Sequence, residues 1–440
     1  MHIIQKKLFH LATATFFRVF LSLSSILITI LSVKVLNIAD LDNFYFYLSI
    51  ASILIVLITF GTNISFVKNA ALKYDHEQLY KKYKEILVFI SINILIAAPI
   101  VTVLVFTEIV EQIFLVVFII IILISLQLII SEYHRATNNF LISQIYSNAT
   151  TVISVYSTGM LSASLNIVIL LVIMLTVKHI TLNVYILLML MTGMITVIIE
   201  IVTNRKIYHF NKEELVQFVK SYPDVIRKHR HFFFFTVSIN LYSILDVFIV
   251  KYFAASEGEV SIYSIAQKFV IFFQLPQTFL ISYYQPQLAQ LISEHKYKEI
   301  ESVARKVTKS IFALSLVATA CYLLLGKYVI VTLFGEFFVE SYYLMLIKAV
   351  GYLFQTGLGI AGGILIIAGY EKVFTYMSVV LVGVSVAASL AFNMLFQMPI
   401  KYTTTYGFMI SYVVYCFAMY FLCVTKMGIR ISIFDALRGK

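Results

Sequence analysis

The sequence predicts an all-α integral membrane protein of about twelve transmembrane helices in two six-helix lobes. Three observations lead to this fold class: the composition, the regular spacing of polar breaks and an internal repeat. Of 440 residues, 61% are hydrophobic and 12% are charged, and the mean hydropathy is +0.93. A soluble domain is about half apolar and about a quarter charged. The composition therefore excludes a soluble globular enzyme, a disordered chain and a secreted disulfide scaffold.

Polar breaks divide the chain into apolar runs long enough to cross a membrane. Only Lys178 and His179 mark a turn within 141–203, so the division there is the least certain. We interpret the N-terminal run as a retained first crossing rather than a signal peptide, because no small-residue cleavage site stands out. The three cysteines lie in apolar runs and are predicted to be free thiols. The predicted crossings are 11–36, 43–67, 86–107, 113–131, 145–176, 182–203, 231–254, 261–284, 308–326, 341–368, 373–396 and 405–425.

The distribution of basic residues predicts the orientation, because cytoplasmic loops are rich in Lys and Arg. Most of the 33 basic residues fall in breaks that share one side with both termini, above all in 204–230. We therefore predict that both termini are cytoplasmic. The outer breaks hold only Lys34, Lys178, Lys251, Lys327 and Lys401.

A shift of 217 residues aligns the two halves weakly. It places the outer turn at 33–36 on the turn at 250–253, and the polar stretch 72–85 on 289–302. Both polar stretches are predicted to form interfacial helices. The domains are then an N-terminal lobe at 1–203, a basic cytoplasmic linker at 204–230 and a C-terminal lobe with a cytoplasmic tail at 231–440. Parallel repeats of this kind are common in transporters, whose site lies between the halves.

Polar residues inside the crossings are the candidate functional residues, since a charge in hydrocarbon is costly. Arg18 heads a polar stripe on the first helix, and we interpret it as a lumen-facing cation, with snorkelling to the inner headgroups as the alternative. Asp246 is the only acid inside the seventh helix. It is either a structural partner for a lysine or a carboxylate linked to proton or sodium movement, or to gating. The stripe continues through Ser22, Ser25, Thr29 and Ser32, and Asn240 precedes Asp246 on its side.

Lys268 and Lys348 lie within the eighth and tenth helices. Two ammonium groups there suit an anion, phosphate above all; ion pairing with Asp246 and outward snorkelling are the alternatives. The glycine-rich run 357–369 predicts close helix packing, with a flexible hinge as the alternative. No Walker, HExxH or GxSxG motif occurs, so neither an enzyme nor a cofactor is predicted. Gln267 neighbours Lys268, and Gln355 continues the face of Lys348.

Several stretches resemble the Wzx-type O-antigen flippases of the multidrug/oligosaccharidyl-lipid/polysaccharide (MOP) exporter superfamily. Residues 244–269, ILDVFIVKYFAASEGEVSIYSIAQKF, are similar to that family's seventh-to-eighth helix pattern: a membrane aspartate, an acidic outer turn, then Tyr-Ser and Ala-x-Lys. Three further stretches are similar to the family: FGTNISFVKNAA at 60–71, YYQPQLAQL at 283–291 and LFGEFFVESYYLMLI at 333–347. The family's outer-turn glycine is Ser261 here. Twelve rather than fourteen helices disfavour a lipid II flippase.

This resemblance implies a V-shaped, MATE-like pair of lobes around a central cavity. It implies ion-coupled movement of an undecaprenyl-diphosphate-linked oligosaccharide from the cytoplasmic to the periplasmic leaflet of the bacterial inner membrane. Membrane lipids and other polysaccharide-assembly proteins are the expected partners, and nucleic acid is not. The alternatives are a cation or drug antiporter of the same superfamily, and a polysaccharide polymerase or ligase. On this basis the diphosphate would bind Arg18, Lys268 and Lys348, Asp246 would couple to H⁺ or Na⁺, and Ser22, Ser25, Thr29, Asn240, Gln267 and Gln355 would line the cavity.

Overall fold

The computed structural model describes residues 2–62, 76–137, 140–146, 159–208, 210–270 and 290–437, with isolated positions between 272 and 288. For residues 2–18 and some other helical positions it describes the backbone alone. The described residues form helices and connecting turns, with no strand among them. In chain order the helices are α1 His2–Val35, α2 Ile38–Thr59, α3 His76–Phe106, α4 Phe114–Ala136, α5 Phe140–Tyr146, α6 Gly159–Thr176, α7 Leu182–Thr203, α8 Lys212–Lys220, α9 Tyr222–Phe253, α10 Glu259–Phe269, α11 Tyr297–Phe334, α12 Glu340–Leu358, α13 Ala361–Ile367, α14 Glu371–Phe396, α15 Ile400–Met427 and α16 Ile433–Leu437.

The predicted fold class is confirmed. Within the described residues, 9 helices are long and apolar enough to cross a membrane, and Val19–Val35 and Met160–Thr176 add two shorter apolar helices. Every predicted crossing overlaps a described helix, although the eighth is represented only by α10. The chain is therefore a multi-pass membrane protein.

Two predicted interfacial helices are not separate elements where the structure describes them. From His76 and from Tyr297 onwards, the polar residues form the first turns of the long helices α3 and α11. The 38 residues of α11 span roughly 57 Å at about 1.5 Å per residue. A hydrocarbon core is only about 30 Å thick, so α11 extends well beyond it.

The tenth crossing is broken rather than continuous as predicted. α12 ends at Leu358 and α13 begins at Ala361, with Gly359 between them at φ +88°. A Cβ on Gly359 would lie 2.7 Å from Oγ1 of Thr308 and 3.0 Å from the carbonyl oxygen of Ile431. The break thus combines a left-handed backbone with a close approach of two neighbouring segments, which only glycine permits.

The chain divides into two compact units, a first unit of residues 1–240 and a second unit of residues 241–440. In the first unit α4 packs against α2, α3 and α7, and α6 packs against α7. In the second unit α12 packs against α10, α11 and α15, and α14 packs against α15. Counted by crossing number, these are the same four pairings in the same order, as expected of a six-helix repeat.

The basic segment 204–230 belongs by its contacts to the first unit. Nζ of Lys84 lies 3.1 Å from Oε2 of Glu214 on α8, and the Ser221 hydroxyl donates to Glu85 at 2.8 Å. Glu214 also accepts a hydrogen bond from the backbone N–H of Asn211 and so caps the start of α8. The extended first turns of α3 are therefore the platform on which this segment folds.

The N-terminal ends of three helices in the second unit meet at one lysine. Nζ of Lys401 lies 2.7 Å from Glu340 and 3.6 Å from Glu259. Both acids sit in the first turns of their helices, where the positive end of the helix dipole favours carboxylates. Lys401 lies in the first turn of α15, where the positive end of the helix dipole disfavours a cation. The two neighbouring carboxylates compensate its charge.

Small residues bring α14 and α15 close together. Ser385 and Ser389 on α14 are fully buried, and Gly407 on α15 faces the backbone of Ser389. Helices in membranes associate through such small residues because backbones can then approach closely.

Replacing Gly407 with alanine is expected to destabilise the second unit by about 1–3 kcal/mol through overpacking. The new Cβ would lie 2.5 Å from the backbone nitrogen of Ser389. Thermal unfolding in detergent measures the effect. The matched control is Gly383→Ala on α14, where a Cβ meets nothing within 4 Å. Equal stability of the two variants would contradict this packing.

His229, near the N-terminal end of α9, predicts a pH effect on stability. Burial, followed by the ammonium groups of Lys228 and Lys82, lowers the pKa of His229 from 6.5 to about 4. Between these two pKa values, His229 is protonated in the unfolded chain but not in the folded chain. The free energy of unfolding therefore decreases as the pH falls through this range. At pH 5 the loss is about 2 kcal/mol. The difference in the free energy of unfolding between neutral and acidic pH should be smaller for His229→Gln than for the wild type. An equal difference in the two proteins would refute this role of His229.

Candidate functional site

Asp246 is the centre of a buried polar network in the second unit. It lies about two turns from the C-terminal end of α9 and is 3% exposed. Its Oδ2 accepts hydrogen bonds from the Tyr263 hydroxyl at 2.7 Å and from Nε2 of Gln267 at 2.5 Å. Its Oδ1 accepts one from the backbone N–H of Val247 at 2.8 Å. These three donors stabilise the ionised form of a carboxylate that burial alone would disfavour.

Lys348 supplies the positive charge of the network. Its Nζ lies 3.6 Å from Oδ2 of Asp246 and 4.1 Å from the centroid of the Tyr263 ring. The side chains of Lys348 and Asp246 are 11% and 5% exposed. The ammonium group is therefore held by a carboxylate and by the face of an aromatic ring, a cation–π arrangement that strengthens as water is excluded.

Three helices bring the network together. Tyr263 and Gln267 are four residues apart on α10, so both side chains leave the same face and reach α9. The Ser341 hydroxyl donates to the carbonyl of Ile262 at 2.7 Å and fixes the start of α12 against α10. That contact sets the position from which Lys348, two turns further along α12, reaches Asp246.

A group of tyrosines lies beside this network. Tyr242, one turn before Asp246 on α9, stacks on Tyr412 with ring centroids 5.7 Å apart. Its hydroxyl donates to the carbonyl of Phe408 at 3.1 Å. Tyr412 in turn lies 5.8 Å from Tyr352 and 6.4 Å from Tyr415. These four rings, from α9, α12 and α15, form what we call the tyrosine group; all four are half-buried.

The remaining predicted residues of the second half fall on the same helices. Gln267 joins Asp246 directly. Lys268 follows it on α10 and is 6% exposed. Gln355 is half-buried on α12, and its Oε1 has no hydrogen-bond partner among the described residues. Asn240 is 8% exposed, and its side-chain amide donates a hydrogen bond to the carbonyl of Thr236, one turn earlier on α9.

The predicted polar stripe of α1 lies in the first unit. Ser22, Ser25 and Thr29 are at most 4% exposed, and the Thr29 hydroxyl donates to the carbonyl of Ser25 at 2.8 Å. Ser32 shares a hydrogen bond of 2.7 Å with the Tyr185 hydroxyl on α7. The stripe thus faces protein within this unit. The side chain of Arg18 lies outside the described residues, so its role stays a prediction.

The sequence indicated Asp246, Gln267 and Lys348 but missed Tyr263 and the tyrosine group. Tyr263 could have been found from its spacing of four residues before Gln267. The tyrosine group could not, because its members come from three helices distant in the chain. Among the described residues no group of three or more His, Cys, Asp or Glu side chains could hold a metal ion.

Comparisons with known proteins identify the fold. No protein-family model matches the chain, and no curated protein matches its sequence. The structure of the lipid II flippase MurJ in an inward closed conformation matches with a TM-score of 0.71 and 13% identity, over 97% of this chain and 89% of that one. An inward-facing MATE-family multidrug resistance transporter of the MOP superfamily matches with a TM-score of 0.65 and 11% identity, over 93% and 94%.

The MATE multidrug transporter DinF-BH matches with a TM-score of 0.63 and 15% identity, over 96% of this chain and 95% of that one. The chain has the fold of the MOP-superfamily transporters. The resemblance noted in the sequence is thus confirmed at the level of the superfamily fold. The neighbouring structures are transporters and flippases rather than catalysts.

The network predicts a strong coupling between Asp246 and Lys348. Asp246→Asn or Lys348→Gln alone leaves one buried charge without its counter-ion, which costs about 3–5 kcal/mol. The double variant removes both charges, so its loss of stability should be clearly smaller than the sum of the single losses. Unfolding of the four proteins in detergent measures the coupling. Lys372→Gln, at an exposed lysine of α14, is the control; strictly additive losses would rule out the pair.

Proposed function

We propose that the protein is a flippase that moves an undecaprenyl-diphosphate-linked oligosaccharide from the cytoplasmic to the periplasmic leaflet of the bacterial inner membrane. In this proposal both termini are cytoplasmic, and alternating access is coupled to an ion gradient. The fold supports a transporter, and one protein with that fold is described as a lipid II flippase. The residues resembling Wzx-type flippases support the polysaccharide branch.

The observation that carries the proposal is the buried pair of Asp246 and Lys348. An anionic headgroup cannot enter a low-dielectric space without fixed cations. Lys348 is such a cation, and it is held at 3.6 Å by an acid that can be neutralised. Protonation of Asp246 would release the ammonium group to a diphosphate, and arrival of the diphosphate would favour that protonation. The diphosphate binding predicted for Lys348 and the ion coupling predicted for Asp246 are then two parts of one exchange, in which Lys348 passes from Asp246 to the diphosphate.

Lys268 and Arg18 complete the proposed set of cations. Lys268 is buried one residue after Gln267, which already contacts Asp246, so it lies close to the network along α10. Arg18 is assigned from the sequence alone. Charge-assisted contacts to phosphate oxygens are about twice as strong as neutral hydrogen bonds, and several together would offset the cost of bringing a diphosphate out of water.

The tyrosine group is the proposed contact for the sugars. A tyrosine can offer an apolar ring face to the carbon side of a sugar and a hydroxyl to its polar edge, although the Tyr242 hydroxyl here already donates to the Phe408 carbonyl. The four rings are half-buried and lie on the helices that carry Asp246 and Lys348. A diphosphate held at Lys348 would therefore bring the first sugars within reach of them.

The second candidate is a cation or drug antiporter. The observation that favours it is that Asp246 compensates Lys348, so the network as it stands carries no net charge. One structure with this fold, from Pyrococcus furiosus, is described as having a binding pocket of reversed polarity that suggests a different function. Pocket charge can therefore separate functions on this fold. A polymerase or ligase would need a large outer loop, and the described outer connections are short, the longest running from 107 to 113.

Transport in vesicles tests the proposal. The purified protein is reconstituted with an undecaprenyl-diphosphate-linked oligosaccharide, and the sugar that becomes accessible in the opposite leaflet is followed with and without a pH or sodium gradient. Lys348→Gln and Arg18→Gln should slow transport by about tenfold or more, the equivalent of roughly 1.4 kcal/mol in the barrier. Asp246→Asn should remove the dependence on the gradient. Lys372→Gln is the matched control and should transport normally.

Each part of the proposal has its own contrary result. Wild-type rates for both cation variants would exclude the diphosphate role. An Asp246→Asn protein with the wild-type rate and gradient dependence would exclude the coupling role. Gradient-driven uptake of an organic cation, without movement of the lipid-linked sugar, would establish the antiporter instead.

A further inference from the structure

A second buried pair of titratable groups lies in the first unit, far along the chain from Asp246. His134 is in the last turn of α4, and Glu200 is in the last turn of α7. Nε2 of His134 and Oε1 of Glu200 are 3.1 Å apart. The two residues are 3% and 1% exposed. Among the described residues His134 is the ion-pair partner of Glu200.

Tyrosines from α3, α4, α5 and the segment Arg205–Tyr208 lie around this pair. The His134 ring lies 6.2 Å from that of Tyr146 on α5 and 5.6 Å from that of Tyr133. The hydroxyl of Tyr146 is hydrogen-bonded to Glu200. The ring centroids of Tyr83 on α3 and Tyr133 are 4.5 Å apart. The hydroxyl oxygens of Tyr83 and Tyr208 are 3.3 Å apart. Tyr208 ends the 3₁₀ helix Arg205–Tyr208, which leads from α7 into the basic segment.

Two basic residues on these elements pair with other acids, and Arg205 on the 3₁₀ helix is exposed. Lys84 on α3 pairs with Glu214 at 3.1 Å, and Arg135 on α4 pairs with Glu132 at 3.3 Å. Among the described side chains, the groups shown to interact with Glu200 are the His134 imidazole and four phenols: Tyr83, Tyr133, Tyr146 and Tyr208.

This arrangement makes one proton decisive for the local charge. The pair has no net charge in two states: a protonated imidazole beside a carboxylate, or a neutral imidazole beside a carboxylic acid. Without that proton a lone carboxylate remains in a shell of phenols. Burying an uncompensated charge is costly, so loss of the proton must be accompanied by entry of water or a rearrangement of the shell.

We propose that His134 and Glu200 form a proton-binding site whose occupancy controls the packing between the cytoplasmic ends of α4 and α7 and the segment Arg205–Tyr208. The protonated pair holds these elements together, and release of the proton opens them. The site is separate from Asp246 and does not depend on the proposed substrate. It would make the connection from α7 into the basic segment sensitive to cytoplasmic pH.

A tryptophan reporter tests the proposal, because the chain contains no Trp. Tyr208→Trp places a single fluorophore beside the pair. In nanodiscs, its emission should shift to longer wavelength as the pH is raised and the pair releases its proton. The shift should be absent when His134→Gln or Glu200→Gln is added. His229→Gln is the matched control: it replaces another buried histidine of the first unit and should leave the shift unchanged.

Hydrogen exchange of the chain without the tryptophan provides a second measurement. After correction for the intrinsic exchange rate, protection of residues 196–208 should fall with rising pH by up to about tenfold per pH unit, the limit for one linked proton. In Glu200→Gln the protection should not vary with pH. The proposal would be overturned if the emission of Tyr208→Trp and the hydrogen-exchange protection of the wild-type chain both stayed constant with pH, or if His134→Gln and Glu200→Gln kept the transition.

Discussion

The compensation of charge in a medium of low dielectric constant is the constraint on which the described structure depends. Of the four buried acids among the described residues, three have a nearby cation or titratable partner. Asp246 has Lys348 at 3.6 Å, Glu259 has Lys401 at 3.6 Å and Glu200 has His134 at 3.1 Å. Removing one partner of such a pair costs more than the pair itself contributes to stability, since the remaining charge stays buried. These pairs therefore specify which helices meet rather than supplying most of the stability.

The partners in each pair come from different helices, so each pair fixes a helix contact. Asp246 and Lys348 join α9 to α12, Glu259 and Lys401 join α10 to α15, and His134 and Glu200 join α4 to α7. Apolar side chains cannot do this in a membrane, because lipid tails are as apolar as Leu and give no hydrophobic force between helices. Close contact of small residues, as between Gly407 and Ser389, is the other means by which these helices associate.

The helices could be predicted from the sequence because a crossing is a local property of about 20 consecutive residues. All twelve predicted runs overlap described helices. The break at Gly359 was not predicted, since it depends on Thr308 and Ile431, which are distant in the chain. The same reason limits the site. Asp246 and Lys348 were visible as charges in apolar runs, and their pairing was among the alternatives, but the geometry that selects it comes from Tyr263 and Ser341 on α10 and α12.

The two titratable pairs differ in a way that the local environment explains. Asp246 receives hydrogen bonds from Tyr263, Gln267 and its own helix in addition to Lys348, so three fixed dipoles share its charge. These partners hold the carboxyl group in place when its protonation releases Lys348, which suits the proposed exchange of Lys348 between Asp246 and an anionic ligand. Glu200 has one imidazole and phenols as its partners, and in our proposal the release of a proton from this pair changes the packing around it. The first arrangement favours binding chemistry within a stable fold, and the second favours a conformational response to pH.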